Sequence, residues 1–134
     1  MEKWLNLQNG SDIRGVAIAG IDGQPVTLHD PIVHSIGFAF AQWLSERLGK
    51  PADQLKISVG HDSRISAKQI KTSIFQGLTA AGAVSFDCGL ASTPAMFMST
   101  VFENHGYDGA PVSYTHLRAH ETPEHLVCRL LLEK

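Results

Sequence analysis

A short apolar run, Leu55 to Val59, stands between two stretches of helical periodicity, and that alternation dictates the fold class. Lys56-Ile57-Ser58-Val59 is β-branched and too short for a helix, so it predicts a strand. Before it, Asp30-Pro31 reads as an N-cap followed by proline at the first helical position. Val33, Ile36, Phe40, Trp43, Leu44 and Leu48 follow at helical spacing, and Gly49 and Pro51 end the segment. After it, Ser66 and Gln69 have the spacing of a capping box. Ile70, Ile74, Leu78 and Ala81 then form an apolar stripe closed by Gly82. Val84-Ser85-Phe86 predicts a second strand, ending at Asp87-Cys88-Gly89. Thr93-Pro94 predicts the cap of a third helix, rich in Met and Phe, that runs to Asn104 and stops at Gly106. Nearer the start, Val16 to Ala19 and Pro25 to Leu28 flank Asp22-Gly23, a hairpin signal. Alternating strands and helices imply βαβ units. The expected fold is α/β: a three-layer α/β/α arrangement around a mixed, largely parallel sheet.

Bulk properties narrow the function. The chain has 134 residues, enough for one domain with a real core, and a net charge of −2. No Lys/Arg block stands out, so nucleic acid is not an expected partner. No apolar run approaches the ~20 residues of a membrane span, and the first residues lack the apolar stretch of a signal peptide. Cys88 and Cys128 make neither a disulfide framework nor a zinc site. A cytoplasmic protein is expected.

Three stretches carry candidate chemistry. Gly60-His61-Asp62-Ser63-Arg64-Ile65-Ser66 follows a strand and precedes a helix, where open α/β sheets bind ligands. Arg64 or the loop amides would face an anion there. Alone, the stretch reads better as a rigid turn, with Asp62 and Ser63 bonding local amides and Ser66 capping the helix. It is neither a Walker loop nor GxGxxG. In Ser11-Asp12-Ile13-Arg14-Gly15, an arginine beside a glycine would hold a phosphate bidentately, or else lie on the surface. Asp87 to Pro94 is another loop at a strand's carboxyl end, with Cys88 expected as a small buried thiol. Met96, Phe97, Met98 and Phe102 are expected in the core. His120 and His125 are five apart with Pro123 between them, so they do not form the helical zinc motif, which needs four.

Taken in order, Asn9 to Gly15, Val59 to Ser66 and Cys88 to Met96 resemble the first domain of the α-D-phosphohexomutases, in the phosphomannomutase/phosphoglucomutase branch. The resemblance covers roughly residues 5 to 110. It implies an enzyme of four domains around one cleft that interconverts hexose 1-phosphates and hexose 6-phosphates. A serine on the first domain carries the phosphoryl group, a bisphosphorylated sugar turns over in the site, and Mg²⁺ is held mainly by the second domain. By position, Arg14 matches the arginine that reaches the transferring phosphoryl group and Ser11 lines the same site. Asp62 and Arg64 match the turn that braces the serine loop.

The resemblance stops at Ala110. The nucleophile should follow Tyr107-Asp108-Gly109-Ala110 in a segment like Val-Met-Ile-Thr-Ala-Ser-His. Instead Pro111-Val112-Ser113-Tyr114-Thr115-His116-Leu117 follows, out of frame by one residue. No catalytic residue and no metal ligand are therefore expected in this chain, and a phosphorylated Thr115 is not expected. Proline at 111 argues against a normal strand there. Residues 111–134 resemble a translated adaptor or vector sequence. The expected organisation is a truncated first domain over 1–110 and a foreign tail over 111–134, missing the other three domains. The alternative is a non-catalytic phosphate- or nucleotide-binding module, which requires the tail to complete the sheet.

Overall fold

The computed structural model describes residues 5–9, 12–17, 19–20, 23, 25–63, 66–101, 106–114 and 125–132, some strand residues by backbone alone. In chain order the elements are β1 (Gln8–Asn9), β2 (Asp12–Val16), α1 (Asp30–Leu48), β3 (Lys56–His61), α2 (Ala67–Ala80), β4 (Val84–Leu90), α3 (Thr93–Val101), β5 (Gly109–Tyr114) and β6 (His125–Leu132). One sheet has the order β1-β2-β6-β5-β3-β4. β3 is parallel to β4 and β5; β6 is antiparallel to β5 and β2, and β1 to β2. β2, β3, β4 and β5 therefore all run one way, giving the mixed, largely parallel sheet expected.

Alternation along β3 builds the layers. Ile57 and Val59 enter a core with Val33, Phe40 and Leu44 of α1 and Ile70, Ile74 and Leu78 of α2. Each such buried side chain contributes about 1.5–3 kcal/mol. On the other face the Ser58 hydroxyl meets Ser99 of α3 at 3.0 Å, and Met96 packs with Ala110 in a second cluster. α1 and α2 cross at two glycines. A Cβ on Gly37 would stand 2.7 Å from the Ile74 carbonyl oxygen, and one on Gly77 would strike the His34 carbonyl.

Several local expectations give way to tertiary partners. The first hairpin joins β1 to β2, not 16–19 to 25–28. Thr27 and Leu28 donate their amides to the Val16 carbonyl, while the Thr27 hydroxyl takes the Val16 N–H that a ladder would have used. Ile18 and Asp22 of that expected hairpin lie outside the described residues. Asp30 does not cap α1. His29 holds the cap position, and the Asp30 carboxylate accepts from Gln69 Nε2 at 3.0 Å and Ser73 Oγ at 3.2 Å. That bond removes Gln69 from the expected capping box, and Ser66 makes no side-chain cap bond. At α3 the cap is Ser92, whose hydroxyl accepts the Ala95 N–H at 3.3 Å, so Thr93 is already helical. Gly49 does end α1 in the left-handed conformation, φ +62°.

Pro111 does not break the sheet. β5 runs through it and across the expected boundary at Ala110, with register positions to β3 on either side, Ile57↔Gly109 and Gly60↔Val112. Proline removes only one ladder donor, and Gly109, Ala110 and Pro111 are buried. β6, drawn from the expected tail, adds a further strand between β2 and β5. Met96 is buried as expected. Met98 is half-buried, Phe102 lies outside the described residues, and the structure does not describe the side chain of Phe97. Among the described residues no helix is long and apolar enough to cross a membrane.

Candidate functional site

Because β2 to β5 run the same way, their carboxyl ends lie along one edge. The register makes this concrete. Leu90, His61, Ser113, Cys128 and Ile13 form one row across β4, β3, β5, β6 and β2. Tyr114, Val127 and Arg14 form the next row toward the carboxyl end. With strands about 4.8 Å apart, the Arg14 backbone lies roughly 10 Å from that of Tyr114. The described residues of the three chemistry-bearing stretches thus converge on one edge of the sheet, beside the end of β5.

Backbone contacts hold the two loops together. The Ala91 amide donates to the His61 carbonyl at 3.0 Å. The imidazole Nδ1 of His61 donates to the Asp62 carbonyl at 2.8 Å, which fixes the tautomer in the neutral ring. Gly60 is required where α3 approaches: a Cβ there would meet the Met96 sulfur at 2.6 Å. In the second loop the Asp87 carboxylate accepts from the Gly89 amide at 2.8 Å and from Lys71 Nζ at 2.7 Å. The Lys71 hydrogen bond is the main reason the Asp87 carboxyl sits below the usual aspartate range. Gly89 turns the chain at φ +65°.

Of the four site residues read from the sequence, Asp62 is described and half-buried, directly after β3. Arg14 is placed by its backbone in β2. Ser11 and Arg64 lie outside the described residues. Cys88 corrects an expectation: it is exposed, not buried, because β4 is the edge strand. Partial desolvation still pushes its thiol pKa up, against the pull of a hydrogen bond from Ser58. Sequence reasoning also missed Asp108. Its carboxylate takes the Lys56 amide at 2.9 Å and Lys50 Nζ at 2.8 Å, joining the starts of β5 and β3. The signal was an acid just before a glycine at a strand start. An open groove of about 640 Å³, lined in part by Lys71, Phe75 and Asp87, lies along α2 and not at the carboxyl edge. Among the described residues no group of three or more His, Cys, Asp or Glu could hold a metal ion.

A family model described as "Phosphoglucomutase/phosphomannomutase, alpha/beta/alpha domain I" matches residues 6–116. The chain belongs to the phosphoglucomutase/phosphomannomutase family. The three stretches at the carboxyl edge are thus stretches of its domain I, and the three-layer fold is that domain's. Among relatives of this chain, the phosphoglucosamine mutase of Caldicellulosiruptor saccharolyticus is 31% identical over 100 residues, 74% of this chain and 20% of the relative. That of Thermotoga maritima is 34% identical over 83 residues, 62% of this chain and 17% of the relative. The chain therefore spans about a fifth of the length of these curated relatives.

Proposed function

We propose that this chain is the first domain of an enzyme that interconverts hexose 1-phosphate and hexose 6-phosphate. The carrying observation is the convergence of the Arg14 strand, the Gly60–Ser66 turn and the Cys88–Pro94 loop beside the end of β5. In the whole enzyme a phosphoserine gives its phosphoryl group to a hydroxyl of the bound sugar phosphate. The resulting bisphosphate returns its other phosphoryl group to the serine, so phosphate is conserved over the cycle. Arg14 would neutralise the transferring group with two parallel hydrogen bonds, where a fixed donor acts on developing charge. Ser11 would line the same site, and Asp62 and Arg64 would brace the serine loop. The names of the relatives favour glucosamine phosphate as the sugar, in the cytoplasm, where phosphorylated sugars are held.

The chain alone would be inactive. Beyond β5, Thr115-His116-Leu117 stands where a serine followed by histidine is needed. Mg²⁺ would be held mainly by a second domain of the whole enzyme, as the resemblance implies, where it would neutralise developing charge. The other two domains would supply sugar recognition. The segment from about Pro111 would be foreign to the parent gene, and sequencing across the Ala110 codon tests this. An unbroken genomic reading of 111–134 would sink that part of the proposal. The activity test is direct: the purified chain with glucosamine 1-phosphate, a bisphosphate activator and Mg²⁺ should give no product. Measurable turnover would refute it.

A second reading draws on β6, which completes the sheet from the tail. That favours a self-contained, non-catalytic phosphate- or nucleotide-binding module. Calorimetric binding of inorganic phosphate or a nucleotide, abolished by Arg14→Ala, would support it. No binding would leave the mutase domain.

A further inference from the structure

Two strands flank β2 in the sheet, the two-residue β1 and β6. Among the described residues, β6 is the ladder that joins β2 to the parallel body of β5, β3 and β4. The register is continuous on both sides. Asp12 to Val16 face Arg129 to His125, and Gly109 to Tyr114 face Leu132 to Val127. Yet β6 lies wholly beyond the family match, which ends at residue 116. A lane in mid-sheet, between two strands of the family domain, is filled by residues that the family model does not cover.

We propose that the space between β2 and β5 is a strand-acceptor slot, that its occupant in this chain is His125–Leu132, and that this occupant sets the register of the Arg14 strand against the His61–Ser113 edge. Two strands running the same way around an unfilled lane leave backbone N–H and C=O groups open on both sides. One antiparallel insertion satisfies both sets. Backbone pairing tolerates many sequences. An interior lane asks for an extended, apolar segment, and each proline in it removes one ladder donor. His-Leu-Val-Cys-Arg-Leu-Leu-Leu offers five aliphatic residues in eight and no proline. Ile13 packing and the Thr27 and Leu28 hydrogen bonds keep β2 near the core, but they fix no pairing with β5. A one-residue slip would turn every side chain of β2 to the other face, Arg14 included. The inference rests on the register and the extent of the family match, so it stands or falls apart from any catalytic reading.

Hydrogen exchange on the intact chain tests it. Amides of 125–132 should exchange at least about 100-fold more slowly than those of an unstructured peptide, and should open together with those of 12–16 as denaturant is added. Val127→Pro, at the position paired with both Arg14 and Tyr114, should speed exchange at 12–16 while 56–61 and 67–80 stay protected. Free-peptide rates at 125–132 in the unaltered chain, with 56–61 protected, would overturn the proposal. So would separate opening of β2 and β6 in the unaltered chain, a measurement that stands even where the variant unfolds altogether.

Discussion

The carboxylate of Asp108 accepts the backbone N–H of Lys56 at 2.9 Å, tying the first residue of β3 to the approach to β5. The same residue returns its own amide to the Lys56 carbonyl at 2.7 Å. Asp108 is buried, so Asp108→Ala strands a backbone donor and should cost about 2–3 kcal/mol. Lys50, the second partner, is about half exposed, and Lys50→Met should cost less than about 1 kcal/mol. Urea unfolding of both variants checks the ordering, and equal costs would contradict it.

The crossing of α1 over α2 leaves no room for a methyl group at Gly77. Gly77→Ala should destabilise by about 3 kcal/mol or more, although alanine is the better helix former. Gly49→Ala meets no neighbour but forces a left-handed alanine, and should cost only about 1 kcal/mol. Thermal unfolding midpoints separate the two, and a stabilised Gly77→Ala would show that the helices do not cross there.

Asp87 titrates below the usual aspartate range, chiefly through its hydrogen bond to Lys71. A depressed folded value contributes stability that is fully present above the ordinary pKa of about 4 and is lost as pH falls through the folded value. The carboxylate is half exposed, so the contribution should be only a few tenths of a kcal/mol. An NMR titration of the Asp87 carboxyl carbon should move upward in Lys71→Met. An unchanged midpoint would remove Lys71 as the cause.

Cys88 is exposed, yet its thiol is pushed up by partial desolvation. Alkylation at Cys88, followed by peptide mass, should be slow at neutral pH and accelerate only above the ordinary thiol range of about 8.5. Ser58→Ala removes the hydrogen bond that favours the thiolate and should push the profile higher still. A profile centred near neutrality would contradict the assignment.

What was legible in the sequence was periodicity. The β3 run, the α2 stripe and the left-handed stop at Gly49 are local facts, set by φ and by apolar spacing. Polar partners were less legible, since Asp30, Ser66 and Gln69 carry capping signals that long-range bonds override. Asp30 reaches α2, and Gln69 answers it in place of a cap. Cys88 looked like core because a strand sequence does not say whether its strand is central or at an edge. The carboxyl edge was legible as three motifs, but their convergence depends on sheet order. That order depends on β6, whose residues carry no motif.

On the proposed function, the carboxyl edge belongs to a phosphoserine mutase whose nucleophile, in the whole enzyme, follows β5. The most direct measurement is the mass of the peptide that follows β5 in a whole enzyme carrying this domain, after incubation with a hexose bisphosphate. One added phosphoryl group on a serine of that peptide is expected, and turnover of glucosamine phosphate should fall about 100- to 1000-fold in Arg14→Ala. An unmodified peptide in an enzyme that still interconverts the sugar phosphates would contradict it.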